Sequence, residues 1–296
     1  MSWPVWSSVP WLPAVVAVGA VAIAYGVVVE RRWFRVVRRR VAILPATGPA
    51  TLTILHLSDL HVVRGDRAKA RFLASLPTAD VTVVTGDFLA EPQAVERAVD
   101  LVRPTRGRVA SWFVLGSNDY YVARPSNPLR YFVPHRLRRS RRAERGPSED
   151  LVRRLAADGW SDLTNTRTDV EIAGLPVELL GLDDAHIRRH DLRVAPRRSP
   201  DRFGVAVMHS PDSAPEAAAC GYDLLLAGHT HGGQLAVPFL GPLVTNSAMP
   251  RRAASGLLRM GGSVLSLSPG LGTSKYAPIR FAVRPTALVL ELTRRA

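Results

Sequence analysis

Tyr222-Asp223-Leu224-Leu225-Leu226-Ala227-Gly228-His229-Thr230-His231-Gly232-Gly233-Gln234 runs an apolar stretch directly into a glycine-flanked pair of histidines. The run has the length of a buried strand, and the glycines allow a tight turn where the strand stops. Two imidazoles therefore fall at a strand's carboxyl end. In an extended segment, residues two apart project to the same side, so His229 and His231 face one cleft; neutral imidazole is the commonest metal ligand. A polar turn carrying two solvated histidines fits these residues equally well, and the rest of the chain must decide.

The same arrangement recurs upstream. Thr51 to Leu57 reads as a strand ending in Ser58-Asp59-Leu60-His61. Asp80 to Thr85 ends in Gly86-Asp87-Phe88, and Ala110 to Leu115 ends in Gly116-Ser117-Asn118-Asp119-Tyr120. Helical stretches over 66–76 and 91–102 separate these strands. A third helix, Ser148 to Asp158, has Ser148 as its expected cap and Glu149 and Asp150 in its first turn. Asp169 to Leu182 reads as a hairpin leading to Asp183-Asp184-Ala185-His186, a cleft-lining segment or a plain turn. Phe203 to Met208 then delivers His209. Strands at 263–267, 281–283 and 287–292 are expected to close a second sheet. Strands alternating with helices indicate an α/β layered sheet, whose ligand sites lie outside the strands' carboxyl ends.

The chain has 296 residues, 47% apolar and 22% charged, enough for a sizeable core. Its net charge of +14 is almost all arginine, since Lys69 and Lys275 are the only lysines. The arginines cluster at 31–40 and 124–145 rather than along one periodic face, so no dedicated nucleic-acid partner is expected. The stretch from Tyr121 to Gly146 reads either as a basic lid or membrane-facing patch, or as a solvated charged loop. Cys220, the only cysteine, excludes an intrachain disulfide and suits a reducing compartment.

No charged residue occurs from Met1 to Val29, and Trp11 to Val29 is long enough to cross a bilayer as a helix. Trp3, Trp6 and Trp11 suit one interface, while Arg31, Arg32, Arg35, Arg38, Arg39 and Arg40 crowd the other end. A secretory signal would carry its charge before the apolar core, so a retained anchor over residues 1–30 is expected. The positive-inside rule then puts the body of the chain in the cytoplasm, at the inner or plasma membrane, with the arginines against anionic headgroups. Residues 31–50 are expected to be a basic juxtamembrane linker, and residues 51–296 one domain.

Asp59-x-His61, Gly86-Asp87, Gly116-Ser117-Asn118-Asp119, His209 and Gly228-His229-x-His231 occur in one order, each after a short apolar run. Together they resemble the calcineurin-like metallophosphoesterase superfamily, more closely its membrane-anchored bacterial branch; Gly228 to Gln234 and Ser268 to Ser274 are also similar to that branch. The resemblance covers roughly residues 51 to 292. It implies a four-layered α/β/β/α sandwich behind the transmembrane helix. It also implies two divalent metal ions that clamp a phosphoryl oxygen and generate a hydroxide near neutral pH. On this resemblance Asp59, His61 and His231 hold one ion, Asn118, His209 and His229 the other, and Asp87 bridges them. Manganese, iron and zinc all suit such ligands.

The third motif departs from the family's Gly-Asn-His-Asp/Glu. Aligned without a gap, Ser117 takes the ligand position; shifted by one residue, Asn118 does, and an amide oxygen coordinates better than a hydroxyl. In either alignment the family's histidine acid is missing, with Asp119 or His186 as substitutes. A leaving group that is already a weak base, such as a phosphate in a pyrophosphate, would lose least. His56 is expected to be a packed core residue, and His135 and His190 to be solvated. The leading expectation is a metal-dependent phosphoesterase acting on a membrane-associated substrate, a UDP-diacylglucosamine-like lipid or a phospholipid. The alternatives are a nucleotide phosphodiesterase that is merely tethered, and a non-catalytic module that binds anionic ligands.

Overall fold

The computed structural model of the protein describes residues 11–123, 125, 144–237 and 240–295. Trp3, Trp6, His135 and almost all of the arginine-rich stretch after Val122 lie outside the described residues. The first element, α1 (Leu12–Val28), carries Pro13 in its first turn, where a missing N–H breaks no helical bond. Its apolar side chains face away from the protein, with Val18 70% and Val21 69% exposed. Residues Pro13–Arg32 are long and apolar enough to cross a membrane, by length and composition.

Among the described residues, α1 touches the body near its C-terminal end. Tyr25 meets Phe281 edge-on at 6.2 Å, Gly26 accepts from the Arg280 amide at 3.3 Å, and Glu30 Oε2 accepts from the Ala282 amide at 3.0 Å. Past a single turn at Glu30–Arg32, the basic stretch read as a linker forms strand β1 (Arg35–Leu44). Its arginines mask the strand pattern because β1 lies at a sheet edge, where exposed charge is tolerated and deters edge pairing. Val41, Ile43 and Leu44 reach the core.

Two six-stranded sheets make the body. The first runs in the order β1, β14 (Thr286–Arg294), β2 (Thr51–Leu57), β3 (Val81–Thr85), β4 (Ala110–Val114), β5 (Ser161–Asp162). The second runs β12 (Gly256–Met260), β13 (Ser263–Leu267), β9 (Leu224–Ala227), β8 (Phe203–Met208), β7 (Leu175–Leu182), β6 (Thr166–Ile172). Strands β2, β3 and β4 are mutually parallel, as are β7, β8 and β9. A small ribbon, β10 (Ala236–Val237) with β11 (Gly241–Pro242), lies apart.

The inner faces pack together through Ile54, Val81, Val83 and Leu290 from one sheet and Val177, Leu179, Val205 and Leu226 from the other. Leu55, Leu57, Val84 and Phe113 on the outer face of the first sheet are covered by α2 (Arg67–Ala74), α3 (Val95–Val102) and α5 (Ser148–Ala157). Leu180, Ala206 and Leu225 on the outer face of the second are covered by α6 (Ala214–Ala219). The layers are therefore α/β/β/α, and strands buried on both faces read as continuous apolar runs.

Three local expectations are corrected. Residues 287–292 lie within β14, which pairs antiparallel with β2 in the first sheet, not the second. Phe281 makes only an isolated bridge with Leu235. Ser148 is the first residue of α5 and makes no capping bond. Alternation along a strand specifies which side chains are buried but not which strand lies beside it, so the return of the chain's end to its start is non-local information.

Candidate metal centre

The strand exits of β2, β3, β8 and β9 meet at one edge of the sandwich, with the short helix α4 (Ser117–Tyr120) closing it after β4. Left-handed backbone makes the convergence possible. Asp59, His61, Asp87, His229 and His231 have φ of 49°, 42°, 55°, 70° and 52°, each costing on the order of 1 kcal/mol or more for a non-glycine residue. The extended geometry expected for His229 and His231 is thus not observed. Both are left-handed around a right-handed Thr230, and they reach opposite ends of the cluster.

Ligating atoms of Asp59, His61, Asp87 and His231 all lie within 4.8 Å of one another. His61 Nε2 is 3.2 Å from His231 Nε2 and 3.4 Å from Asp87 Oδ2. His209 Nε2 is 3.6 Å from the same Asp87 oxygen and 3.2 Å from His229 Nδ1. All six imidazole or carboxylate side chains expected as ligands are therefore in one group.

Two observations test whether a cation fits. Asp59 Oδ2 accepts from Ser58 Oγ at 2.5 Å and from the His229 amide at 2.9 Å, yet its buried Oδ1 has no hydrogen-bond partner among the described residues and only His231 Nε2 near it, at 3.5 Å. A buried carboxylate oxygen without a donor calls for a cation. Second, His209 Nδ1 donates to Thr85 O at 2.7 Å and His229 Nε2 donates to Asn246 O at 3.1 Å. The lone pairs left on His209 Nε2 and His229 Nδ1 then face each other, which only a proton or a metal ion reconciles.

The electrostatics agree. Burial alone would raise the Asp87 carboxyl, but His209 and His61 outweigh it and hold the group well below the usual range. Burial would lower His209, but Asp87 and Asp184 pull it up to about 10. A proton on His209 thus neutralises these carboxylates where a metal would otherwise do so. Burial pushes His231 down to about 3, keeping that imidazole neutral and able to ligate.

Close backbone approaches hold the cluster. A Cβ on Gly228 would overlap Ser58 Oγ and stand 2.6 Å from Asp59 Oδ2. One on Gly116 would overlap Asp87 Oδ1 and stand 2.8 Å from His209 Cε1. The Ser268 to Ser274 stretch braces the first motif: the Leu271 and Gly272 amides donate to Ser58 O and Asp59 O at 3.0 and 2.6 Å. Arg280, fully buried, ties this loop down through Pro269 O at 2.8 Å and Gly272 O at 2.6 Å, and brings Nη2 within 3.4 Å of His231 Nδ1.

Asn118 joins the cluster, its amide nitrogen 2.6 Å from Asp87 Oδ2 and its backbone N–H 2.8 Å from Oδ1. A half-turn of the amide would put its oxygen in the same place. Asp119 does not join it. Its carboxylate is fully buried and accepts from the Gly116 and Leu89 amides, both at 3.0 Å; it caps α4, with each oxygen engaged by one of these amides. Burial, with Asp87 next, pushes this carboxyl up to about 8 against those two donors.

His186 stands over the cluster, its ring 4.5 Å from that of His229. Asp184 is a residue the sequence left undecided. It is fully buried, its Oδ1 accepts from the His186 amide at 2.8 Å, and its Oδ2 has no partner among the described residues. Asp183 instead binds Tyr120 Oη and Arg189 Nε, both at 3.0 Å. His56 is buried between Ser266 and Thr85, as expected of a packed residue. His190 is half-buried, with a buried Nδ1 lacking a partner, rather than solvated. Arg280 and Ser58 were missed, because an isolated arginine or serine has no spacing signal.

Comparison with known proteins bears on this site. The family profile described as calcineurin-like phosphoesterase matches residues 52–233. An uncharacterized metallophosphoesterase of Bacillus subtilis, YkuE, is 31% identical over 47% of this chain and 48% of its own. The phosphodiesterase YaeI of Escherichia coli is 25% identical over 89% and 90%. The UDP-2,3-diacylglucosamine pyrophosphatase LpxG of Chlamydia trachomatis is 26% identical over 64% and 66%. The chain thus spans about half the length of the first of these and just under two thirds of the last. Since the profile covers more than half of the chain, and every one of the clustered histidines and carboxylates falls inside it, the protein belongs to the calcineurin-like phosphoesterase family.

Proposed function

We propose that the protein is a metal-dependent hydrolase of phosphodiester or pyrophosphate bonds, acting on a membrane-associated substrate. The observation that carries this reading is the close packing of Asp59, His61, Asp87 and His231 around a carboxylate oxygen that lacks a donor. Asp59, His61 and His231 would hold one divalent cation, Asn118, His209 and His229 a second, with Asp87 between them. Such a pair, manganese, iron or zinc, would supply Lewis-acid polarisation of the phosphoryl group and a water acidic enough to attack at neutral pH.

The chain's own residues do the rest. Thr85 and Asn246 fix the tautomers of His209 and His229, so that the correct lone pairs face inward. Asp59 is oriented by Ser58 and by the His229 amide. With Asp119 engaged by backbone amides, His186 at the rim is the proton donor to the leaving group. Because the third motif lacks the histidine acid that the family resemblance implies, leaving groups of low basicity, as in a pyrophosphate, would lose least.

The membrane part rests on the exposed apolar surface of α1, and the arginines after it favour a cytoplasmic body at the inner or plasma membrane. A UDP-diacylglucosamine-like lipid or a phospholipid is the substrate we favour, given the likeness to LpxG. A tethered nucleotide phosphodiesterase is tested against it by shortening the anchor. The cut must fall before Tyr25, because Tyr25, Gly26, Glu30 and β1 are bonded to the body. The deciding experiment is metal analysis of the purified chain, with turnover of phosphomonoesters, phosphodiesters and lipid pyrophosphates measured with and without manganese. Asp87→Ala should abolish metal-dependent turnover, and His186→Ala should slow only substrates with basic leaving groups. No metal-dependent turnover in any class would leave a binding module as the better reading.

A further inference from the structure

Beside the metal centre lies a cavity of about 440 Å³ that the catalytic arrangement does not use. His61 forms part of its wall, so the cavity adjoins the cluster on that side. The remaining wall is strongly cationic: Arg31, Arg32, Arg67, Arg71 and Lys275 all line it. Lys69 and Asp66, also in the wall, neutralise each other at 2.7 Å, and Lys275 has Glu91 at 3.7 Å. Among the described residues no hydrogen bond or ion pair engages the guanidinium groups of Arg32, Arg67 or Arg71. Arg31 Nε is buried without an acceptor. The hydroxyl-bearing Thr273 and Ser274 also line it, beside apolar residues that include Phe34, Val63 and Leu271.

Unpaired guanidinium groups converging on a concave surface are energetically unfavourable until an anion arrives, and the guanidinium fork matches phosphate oxygens in pairs. Arg31 and Arg32 terminate the helical turn that follows α1, so the cavity also stands where the apolar helix meets the body. We propose that this cavity is a subsite for a non-scissile phosphate of the substrate, with Arg31 and Arg71 as its principal contacts. The proposal rests on the phosphoesterase reading and narrows it: the substrate carries at least two phosphates, one at the metal centre and one in the cavity on the His61 side. A pyrophosphate diester meets that requirement, and an isolated phosphodiester does not.

The test uses the full chain in nanodiscs of neutral phosphatidylcholine. In chelator, inorganic pyrophosphate binding is followed by calorimetry for the parent, for Arg31→Gln with Arg71→Gln, and for Arg31→Lys with Arg71→Lys. The glutamine pair should raise Kd at least tenfold, and the lysine pair, which keeps the charge but not the fork, should recover part of the loss, which excludes misfolding as the cause. With manganese, the ratio of kcat/KM on a pyrophosphate diester to that on bis(4-nitrophenyl) phosphate should fall at least tenfold in the glutamine pair, mainly through KM. An unchanged Kd and an unchanged ratio overturn the proposal. So does an effect confined to adhesion to phosphatidylglycerol vesicles, which would assign these arginines to the bilayer. If the parent turns over neither substrate but the Kd shift is found, the anion subsite stands and the hydrolase reading falls.

Discussion

Gly228→Ala concentrates the local physics of the centre in one methyl group. Gly228 has no positive φ to forbid a side chain, so only space decides. The new Cβ would occupy the volume of Ser58 Oγ and stand 2.6 Å from Asp59 Oδ2. Ser58 must rotate, which breaks its 2.5 Å bond to Asp59. A charge-assisted hydrogen bond contributes about 1.5–3 kcal/mol, and overpacking of a rigid core costs about 1–3 kcal/mol more. The expected loss in chelated protein is about 2.5–6 kcal/mol, a large part of the ~5–15 kcal/mol typical of a domain. Displacing Asp59 should also weaken manganese binding by about 10–100-fold, as loss of a supporting partner does elsewhere. Urea unfolding with and without metal, and equilibrium manganese titration, read both effects. Ser58→Gly removes the nearest obstacle, so adding Gly228→Ala in that background should cost at least 1 kcal/mol less, on the order of the coupling seen for contacting residues. The reasoning is refuted if Gly228→Ala alone leaves stability and metal affinity unchanged.

Two further outcomes follow from buried groups outside the ligand set. Burial pushes His56 down to about 3 from an unfolded value of 6.5, so between those limits only the unfolded chain binds this proton. Stability should therefore fall as pH drops from 6.5, by about 1.4 kcal/mol per unit from this residue. His56→Gln should flatten that slope in urea titrations of chelated protein between pH 6 and 4, and parallel slopes would contradict it. Asp119→Asn leaves one oxygen where two backbone donors need acceptors; a loss of about 1–3 kcal/mol is expected. The acid limb of the pH profile for turnover should stay in place, and a shift of that limb would restore Asp119 as a proton donor.

The order Asp59, His61, Asp87, Asn118, His209, His229, His231 was legible because each residue follows an apolar run, and a parallel sheet puts successive strand exits on one edge. The layered class was legible for the same reason. The backbone that carries out the convergence was not. An extended His229-Thr230-His231 is the default for residues two apart, but the observed left-handed φ values are stabilised only by surroundings the local sequence does not contain.

Residues 35–40 show the limit from the other side. Arg35, Val36, Val37, Arg38, Arg39 and Arg40 look like a linker beside a membrane, and only pairing with β14, some 250 positions away, makes them a strand. Arg280 is the same case for the site: it belongs to no spaced motif and reaches His231 only through the fold. Sequence alone determined the kinds of atoms available for chemistry and the strand ends that carry them, because side-chain periodicity is a local property. Tertiary structure alone decided which lone pairs face each other, which carboxylate is sealed off by amides and which arginines gather beside His61, because those depend on packing between segments distant along the chain.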